Sequence, residues 1–218
     1  MVQKAVIIVS GGMDSTTLLY DLANQGFDLH AVTFDYGQKH SKEIACATRN
    51  CKALGVPQKI INMKFFAELA GSSLTTKDKD VPEGNYADEN MKQTVVPNRN
   101  MVMLAIAASF AISSKRDYIF YGAHSGDHAI YPDCRPPFVQ AMKNAFNLCD
   151  WSRVRLEAPY LRLNKADILK IGFPLSVPYE DTWTCYKGGE KPCGACGSCT
   201  ERAEAFRIMN IPDPLYQR

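Results

Sequence analysis

The chain has 218 residues, of which 46% are hydrophobic, 22% charged and 10% aromatic. This ordinary globular composition excludes a disordered or collagen-like chain, and the length predicts one domain with a full hydrophobic core. The formal net charge of +2 argues against a protein whose affinity depends on neutralising many phosphates of a nucleic acid.

No segment is long and apolar enough to suggest a membrane span. The most apolar stretch, residues 101–112, is far shorter than the roughly 20 residues that a spanning helix needs. The sequence also begins without the basic and apolar pattern of a signal peptide. We therefore expect a cytoplasmic, reducing location, in which cysteines serve as metal ligands, nucleophiles or core residues.

The N-terminal part of the chain repeats a strand and helix pattern. An apolar run at residues 4–9 predicts a strand buried on both faces, and a helix capped by Asp14 and Ser15 follows and ends near Gly26. A strand at about 29–34, a helix at about 41–54 and a strand at 58–61 come next. This order predicts a doubly wound α/β fold with a mostly parallel sheet and right-handed crossovers.

Residues 64–96 interrupt this rhythm with clusters of Gly, Ser, Pro and charged residues. We interpret them as an excursion over the sheet edge that could act as a lid. The later elements are predicted as a helix at 100–113, a strand at 118–121, a polar loop at 122–137, a helix at 138–149, a strand at 154–158 and a helix at 165–171. We expect residues 1–180 to form the main domain, and residues 181–218 to form a metal-binding segment packed on it.

The turn between the first strand and the first helix has the composition of a phosphate-binding loop. Its residues are Ser10, Gly11, Gly12, Met13, Asp14 and Ser15. Glycines let the backbone approach a ligand, hydroxyls add donors, and a helix N-terminus attracts anions. Asp14 suits a helix cap or a contact to a metal ion shared with the phosphates. The alternative is an ordinary turn, but the full hexapeptide in this context favours phosphate binding.

Two other phosphate-binding motifs are missing from the sequence. It contains no Gly-Lys dipeptide, so a Walker A loop is absent, and Gly-x-Gly-x-x-Gly does not follow the first strand. Transfer of a terminal phosphoryl group is therefore disfavoured. In this fold class the ligand lies outside the carboxyl ends of the strands, which makes residues 32–36 the next wall of a nucleotide pocket.

The C-terminal region contains a cysteine cluster formed by Cys185, Cys193, Cys196 and Cys199. Four thiolates suit a structural, tetrahedral zinc ion, and the surrounding glycines let the backbone curl around it. An iron–sulfur cluster is the alternative that the same ligands allow. We expect residues 185–199 to be irregular until metal orders them, and the metal to hold Trp183, Tyr186 and Lys187 near the pocket.

Polar residues that follow the predicted strand at 118–121 are candidates for a substrate site. Asp127 and Asp133 could accept N–H groups of a purine-like base, and Arg99 and Arg135 could bind a carboxylate or phosphate. The simpler interpretation is that each of these four residues forms an ion pair at the surface. His124 and His128 could bind metal or act as an acid–base pair, although two loop histidines more often face solvent or are structural. Cys134 lacks a convincing base beside it.

These motifs together resemble the 7-cyano-7-deazaguanine synthases, a family of the PP-loop ATP pyrophosphatase superfamily, which has an adenine nucleotide alpha hydrolase-like fold. The resemblance rests on residues 10–15, 34–38, 96–100, 131–135 and 185–193, together with Cys196 and Cys199. Asn98 stands where this family is expected to have glycine. Asparagine tolerates a left-handed backbone better than most residues, so the turn can be kept.

The resemblance implies that ATP, ammonia and 7-carboxy-7-deazaguanine are converted to the nitrile through an adenylated acid and an adenylated amide, as part of queuosine biosynthesis. It implies Mg²⁺ at the phosphates, Zn²⁺ on the four cysteines and free ammonia from solution, with no direct contact to nucleic acid or membrane. A homodimer is compatible with it. The implied catalytic residues are Ser10, Asp14 and Ser15, and the implied substrate ligands are Arg99, Asp127, Asp133 and Arg135. The implied nucleotide contacts are Ser10, Gly11, Gly12, Met13, Asp14, Ser15, Thr16, Thr17, Leu18, Leu19 and Tyr20.

Two other functions are compatible with the same motifs. One is a tRNA-modifying PP-loop enzyme, either a thiolase or a lysidine synthase, although the small net charge disfavours an RNA substrate. The other is a non-catalytic, zinc-ribbon-like module that only holds nucleotide.

Overall fold

A computed structural model describes residues 2–217 as a parallel sheet surrounded by helices. The first half of the chain forms β1 (Lys4–Ile8), α1 (Met13–Asn24), β2 (Asp28–Asp35), α2 (Lys42–Ala53), β3 (Gln58–Asn62) and α3 (Phe65–Leu69). The second half forms α4 (Arg99–Ser113), β4 (Tyr118–Phe120), α5 (Pro136–Phe146), β5 (Arg155–Glu157), α6 (Lys165–Gly172) and α7 (Gly197–Ile208). The predicted doubly wound α/β class is confirmed.

The five strands lie in the order β3-β2-β1-β4-β5, and all neighbours are parallel. The chain runs from β1 outward to β3 and then returns to place β4 on the other side of β1. Ile7 is accordingly paired with Ala31 of β2 and with Phe120 of β4. Such a reversal opens a crevice at the carboxyl ends of the two central strands, where ligands of this fold class bind.

The central strand β1 is buried on both faces, as its apolar run predicts. Val6 belongs to a core cluster with Leu104 and Ala107 of α4, whereas Ile7 belongs to a second cluster with Leu18 and Leu19 of α1. Because successive side chains of a strand point to opposite faces, adjacent residues of β1 fix helices on both sides of the sheet.

The start of α1 differs from the predicted cap. The helix begins at Met13, Gly12 is the N-cap, and no side chain caps it. Asp14 and Ser15 therefore lie inside the first turn, and the prediction that they cap the helix is wrong. The physical reason is that the Ser15 hydroxyl group turns back into the loop, where it donates to the Gly12 carbonyl group.

Helix α7 is the main element that the sequence pattern did not reveal. It begins at Gly197, so Cys199 lies in a helix and not in an irregular segment. Its buried side includes Arg202, which is fully buried and forms a bidentate ion pair with Asp213 at 2.7 and 2.9 Å. An arginine on the buried face removes the apolar periodicity by which a helix is recognised.

The excursion at residues 64–96 covers the carboxyl ends of the strands together with the C-terminal segment. The Gly84 amide donates to the Ala195 carbonyl group at 3.0 Å, and Glu83 and Cys196 form an antiparallel bridge. Leu74 and Met91 are the buried side chains that anchor this excursion in the main hydrophobic cluster. No helix within residues 2–217 has the length and apolar character needed to cross a membrane.

Candidate functional site

A cavity of about 210 Å³ lies at the carboxyl ends of the central strands. One side is the loop that joins β1 to α1, and the opposite side comes from residues that follow β2 and β4. The excursion contributes Tyr86, and the C-terminal segment contributes Trp183, Tyr186 and Ser198. Lys187 does not line the cavity but pairs with Glu83 near the surface. The cavity is therefore assembled from segments throughout the chain.

The loop at residues 10–15 is held in shape by its own hydroxyl groups. The Ser10 and Ser15 hydroxyls are 3.0 Å apart, and the Gly12 amide donates to Ser10 Oγ at 3.2 Å. The Gly11 carbonyl group accepts from the Trp183 amide at 2.9 Å. This loop sits at the N-terminus of α1, where backbone dipoles favour an anion.

Gly11 is required by both its conformation and its surroundings. Its φ is +96°, and a Cβ at this position would overlap the backbone oxygen of Glu43 and lie 2.7 Å from the Ala47 nitrogen. The first turn of α2 therefore packs directly against the loop, and only glycine allows that approach.

The implied nucleotide contacts fall into two groups. Ser10, Gly12, Met13, Asp14 and Ser15 line the cavity. Gly11, Thr16, Thr17, Leu18, Leu19 and Tyr20 do not line it; Leu18 and Leu19 lie in the hydrophobic core, and Thr17 bonds Tyr179 at 2.9 Å. The direct nucleotide contacts that we propose are therefore limited to the first group.

Asp14 faces a buried ion-pair network that sequence reasoning missed. Lys165 Nζ lies 3.4 Å from Asp14 Oδ2 and also binds Glu201. Burial alone would lower the pKa of Lys165, but the carboxylates of Asp14 and Glu201 outweigh it and raise the pKa. The ammonium group therefore stays charged at the cavity wall. Asp14 Oδ1 is buried and has no hydrogen-bond partner among the described residues.

His124 is buried in this same corner, which agrees with the structural one of the two simpler interpretations and not with a solvent-facing side chain. Only 1% of the residue is exposed. Its Nδ1 accepts from the Gly126 amide at 3.1 Å, and its Nε2 lies 3.2 Å from Lys165 Nζ. Nε2 lies 3.6 Å from Asp127 Oδ1 and 3.7 Å from Asp14 Oδ2. The ring thus lies beside the Lys165 ammonium group and two carboxylates.

Asp127 lines the cavity, and its carboxylate is the acceptor for the Tyr86 hydroxyl group at 2.9 Å. Burial raises the pKa of Asp127, but His124 and Lys165 outweigh this and the pKa lies below its ordinary value. The group is therefore a partly buried carboxylate and not a carboxylic acid.

Arg99 also lines the cavity and provides a second positive charge there, besides Lys165. Its Nη1 donates to the Tyr36 hydroxyl group at 3.0 Å, and its guanidinium carbon lies 5.3 Å from the centroid of the Tyr36 ring. No carboxylate within residues 2–217 forms an ion pair with it. Arg99 can therefore bind an incoming carboxylate or phosphate in two-pronged fashion.

The other two implied substrate ligands are turned away from the cavity. Asp133 accepts the Asn100 amide at the start of α4, at 3.1 Å. Arg135 is exposed and donates to the carbonyl groups of His128 and Ala129 at 2.7 and 3.3 Å. The short 3₁₀ turn at Pro132–Cys134 explains this difference, because it aims Cys134 into the cavity and its neighbours outward.

Four further residues that no sequence motif indicated also line the cavity: Lys165, His40, Glu43 and Tyr86. His40 and Glu43 follow the strand β2 at a spacing of one helical turn, which is the only signal that could have suggested them. Lys165 starts α6, and Tyr86 belongs to the excursion, so neither is next to a recognisable motif.

The four C-terminal cysteines form a group that could hold a metal ion. Their sulfur atoms all lie within 4.8 Å of one another, and none is in a disulfide. The Cys193 and Cys196 amides donate to the sulfurs of Cys185 and Cys193 at 3.4 and 3.3 Å. Converging thiolates that accept N–H donors fit a closed, four-sulfur metal site. His124 and His128 belong to no such group of three or more ligands within residues 2–217.

The chain is similar to several known proteins. A family model described as "Queuosine biosynthesis protein QueC" matches residues 4–210. A Methanoregula boonei protein named 7-cyano-7-deazaguanine synthase is 62% identical over 97% of this chain and 98% of its own length. A Caldicellulosiruptor saccharolyticus protein of the same name is 61% identical over 97% of this chain and 94% of its own length. The solved structure of NMN synthetase from Francisella tularensis shares the fold, with a TM-score of 0.54 and 12% identity over 97% of this chain and 79% of that one.

Proposed function

The chain belongs to the QueC family of queuosine biosynthesis proteins, and we propose that it converts 7-carboxy-7-deazaguanine and ammonia into 7-cyano-7-deazaguanine with ATP. The observation that supports this proposal for the site is a single cavity lined both by the loop at the N-terminus of α1 and by Arg99, which has no ion pair among residues 2–217. The loop suits the phosphates of ATP, and Arg99 suits the carboxylate of the acid.

The chemistry needs two activations, because a carboxylate oxygen and an amide oxygen are both poor leaving groups. In the first, a carboxylate oxygen attacks the α-phosphorus of ATP, pyrophosphate leaves, and ammonia then displaces AMP to give the amide. In the second, the amide oxygen attacks the α-phosphorus of another ATP and pyrophosphate leaves, and loss of AMP and of both amide N–H protons to solvent gives the nitrile. Each nitrile therefore costs two ATP, and no side-chain nucleophile is required.

In this proposal the loop stabilises the charge that develops on departing pyrophosphate. The Gly12 amide and the hydroxyls of Ser10 and Ser15 are the donors that could act there, and preorganised donors of this kind are commonly worth about 10²–10³ in rate. Lys165 would add a fixed positive charge beside Asp14. Ammonia would enter from solution.

Asp14 is also the residue that would hold Mg²⁺. Its Oδ1 atom is buried without a partner among the described residues, and carboxylate oxygen is the ligand that Mg²⁺ prefers. Such an ion would supply charge neutralisation at the phosphates. For the four cysteines we propose structural zinc, because their spacing and convergence suit a tetrahedral ion.

The direct test is to incubate the protein with ATP, ammonium and 7-carboxy-7-deazaguanine and to identify the products by mass spectrometry. The proposal predicts the nitrile with two AMP for each product formed. A tRNA-modifying enzyme would instead need RNA for ATP turnover, and a nucleotide-holding module would release no pyrophosphate. We also keep a cytoplasmic location and a homodimer as predictions, the latter to be tested by light scattering.

A further inference from the structure

Arg99 is the first residue of α4, so the direction of its side chain depends on how this helix begins. The preceding residue, Asn98, is the N-cap, and its backbone is left-handed, with a φ of +59°. The Asn98 side chain forms no capping hydrogen bond. A left-handed residue other than glycine is strained, and this conformation persists where surrounding contacts hold it. The start of α4 therefore needs support from another segment.

The 3₁₀ turn at Pro132–Cys134 provides this support. The Asn100 amide donates to Asp133 Oδ2 at 3.1 Å, and Asn100 Nδ2 donates to Cys134 Sγ at 3.2 Å. Asn100 is the second residue of α4, and its amide is one of the donors that an N-cap side chain normally satisfies. Asp133 thus caps the helix from a separate segment, where the side chain of Asn98 does not.

The charge of Asp133 suits the same position. Backbone dipoles give the N-terminus of a helix a partial positive charge, which a carboxylate stabilises. Helix α4 has no acidic residue in its own first turn, so Asp133 supplies the negative charge that the helix itself lacks there. Asp133 is also one of the charged groups around Arg99, although these two described residues form no ion pair with each other.

We propose that Asp133 is a positioning residue, which caps α4 and thereby holds Arg99 in the direction that binds the carboxylate of the acid. This inference rests on the proposed function, since it takes the acid as the ligand of Arg99. The Tyr36 hydroxyl group fixes the other end of the same side chain, at 3.0 Å from Arg99 Nη1. Arg99 is thus held at its backbone and at its guanidinium group, and a preorganised side chain loses less entropy when it binds.

Two ways in which Asp133 could act on Arg99 predict opposite results for Asp133→Asn. If Asp133 acts as a cap, asparagine replaces it well, because Asn and Asp are comparable N-cap residues. If only its negative charge mattered, removing that charge would strengthen the binding of an anionic acid nearby. Asp133→Ala removes both the cap and the charge, so loss of affinity in this variant together with retained affinity in Asp133→Asn identifies the cap.

Calorimetry measures the affinity for 7-carboxy-7-deazaguanine in the presence of an ATP analogue that cannot release pyrophosphate. We expect Asp133→Asn to stay within about threefold of the wild type and Asp133→Ala to bind the acid about tenfold more weakly. Affinity for the ATP analogue alone should change by less than about twofold in both variants. The control is Asp150→Ala, which also removes a carboxylate that accepts a backbone amide, that of Ser152 at 2.8 Å, but in an exposed loop. It should bind the acid like the wild type.

A double-mutant cycle shows whether Asp133 acts through Arg99. Arg99→Gln removes the proposed ligand of the carboxylate, so adding Asp133→Ala to it should weaken binding of the acid by less than about threefold more. A general loss of structure would instead add the same factor with or without Arg99. If Asp133→Ala does not fold, Asp133→Glu takes its place in the cycle, because its longer side chain keeps the charge but displaces the acceptor.

Three results would overturn the inference. They are wild-type affinity for the acid in the variant without the cap, an affinity of Asp133→Asn more than about threefold from that of the wild type, and equal factors in the two halves of the cycle. A wild type that binds the acid but makes no nitrile would refute the proposed function alone, whereas a wild type that does not bind the acid would refute both.

Discussion

Lys165 and Asp14 lie more than 150 positions apart in the sequence, and their charged groups meet at 3.4 Å inside the cavity. Lys165 begins α6, and Asp14 lies in the first turn of α1. The lysine is 5% exposed and is also paired with Glu201. It therefore neutralises a corner in which Asp14, Asp127 and Glu201 would otherwise repel one another.

Lys165→Met should destabilise the protein and remove activity. It leaves buried carboxylates without their counter-charge, and breaking a buried pair in this way typically costs about 3–5 kcal/mol. Urea denaturation measures the free energy of unfolding. The matched control is Lys170→Met on the same helix, whose pair with Asp167 is exposed, and it should change stability by less than about 1 kcal/mol. Equal effects of the two substitutions would contradict the role assigned to Lys165.

Asp14→Asn should stop pyrophosphate release while the protein stays folded. The substitution keeps the volume of the side chain but removes the charge that would hold Mg²⁺ at the phosphates, and Lys165 keeps Glu201 as a partner. We expect turnover to fall by at least about a hundredfold. Asp78→Asn, at an exposed position of the excursion, should keep full activity. Pyrophosphate release at the wild-type rate by Asp14→Asn would refute the assignment.

Gly11→Ala should be far more damaging than the same substitution at Gly55. Both glycines have positive φ, of +96° and +64°, but a Cβ at Gly11 would overlap Glu43 whereas a Cβ at Gly55 meets nothing. The left-handed backbone costs about 1–2 kcal/mol at either site, and steric overlap adds about 1–3 kcal/mol at Gly11. Thermal unfolding measures the melting temperatures of Gly11→Ala and Gly55→Ala, and that of Gly11→Ala should be the lower. Indistinguishable melting temperatures would show that α2 does not pack against the loop as described.

Cys196→Ser should lose metal and stability together. Cys196 is buried among three other thiols, and the free energy of binding a structural metal is part of the folding free energy. Metal analysis of the purified protein measures stoichiometry and distinguishes zinc from iron. Cys149→Ser, which removes an exposed cysteine outside the cluster, is the control. One metal ion retained per chain in Cys196→Ser would refute the four-thiolate site.

The stability of the wild type relative to Glu43→Gln should fall as pH rises from about 5 to 8. Burial raises the pKa of Glu43 from 4.5 to about 8, so the folded state holds a proton that the unfolded state has released in this range. The slope of the difference can reach at most about 1.4 kcal/mol per pH unit. Urea denaturation of both proteins across this range measures it, and a difference independent of pH would show that Glu43 is not desolvated.

Local sequence signals predicted the sheet and the tight loop between β1 and α1, because each depends on residues adjacent in the chain. The apolar run of β1 and the two glycines after it are such signals, and the order of elements fixed the winding. Lys165 and Glu43 could not be found in this way, since their roles depend on which segments meet across the cavity. Asp133 and Arg135 follow β4 in the chain but do not line the cavity, because the direction of a side chain on a 3₁₀ turn is not visible in a motif.

The central claim is that the loop of residues 10–15 binds the phosphates of ATP while an oxygen of the substrate acid attacks the α-phosphorus. It is tested most directly with 7-carboxy-7-deazaguanine labelled with ¹⁸O in its carboxylate. Mass spectrometry should find one ¹⁸O atom in each of the two AMP molecules formed per nitrile and none in pyrophosphate. Unlabelled AMP, or label in pyrophosphate or phosphate, would contradict the account.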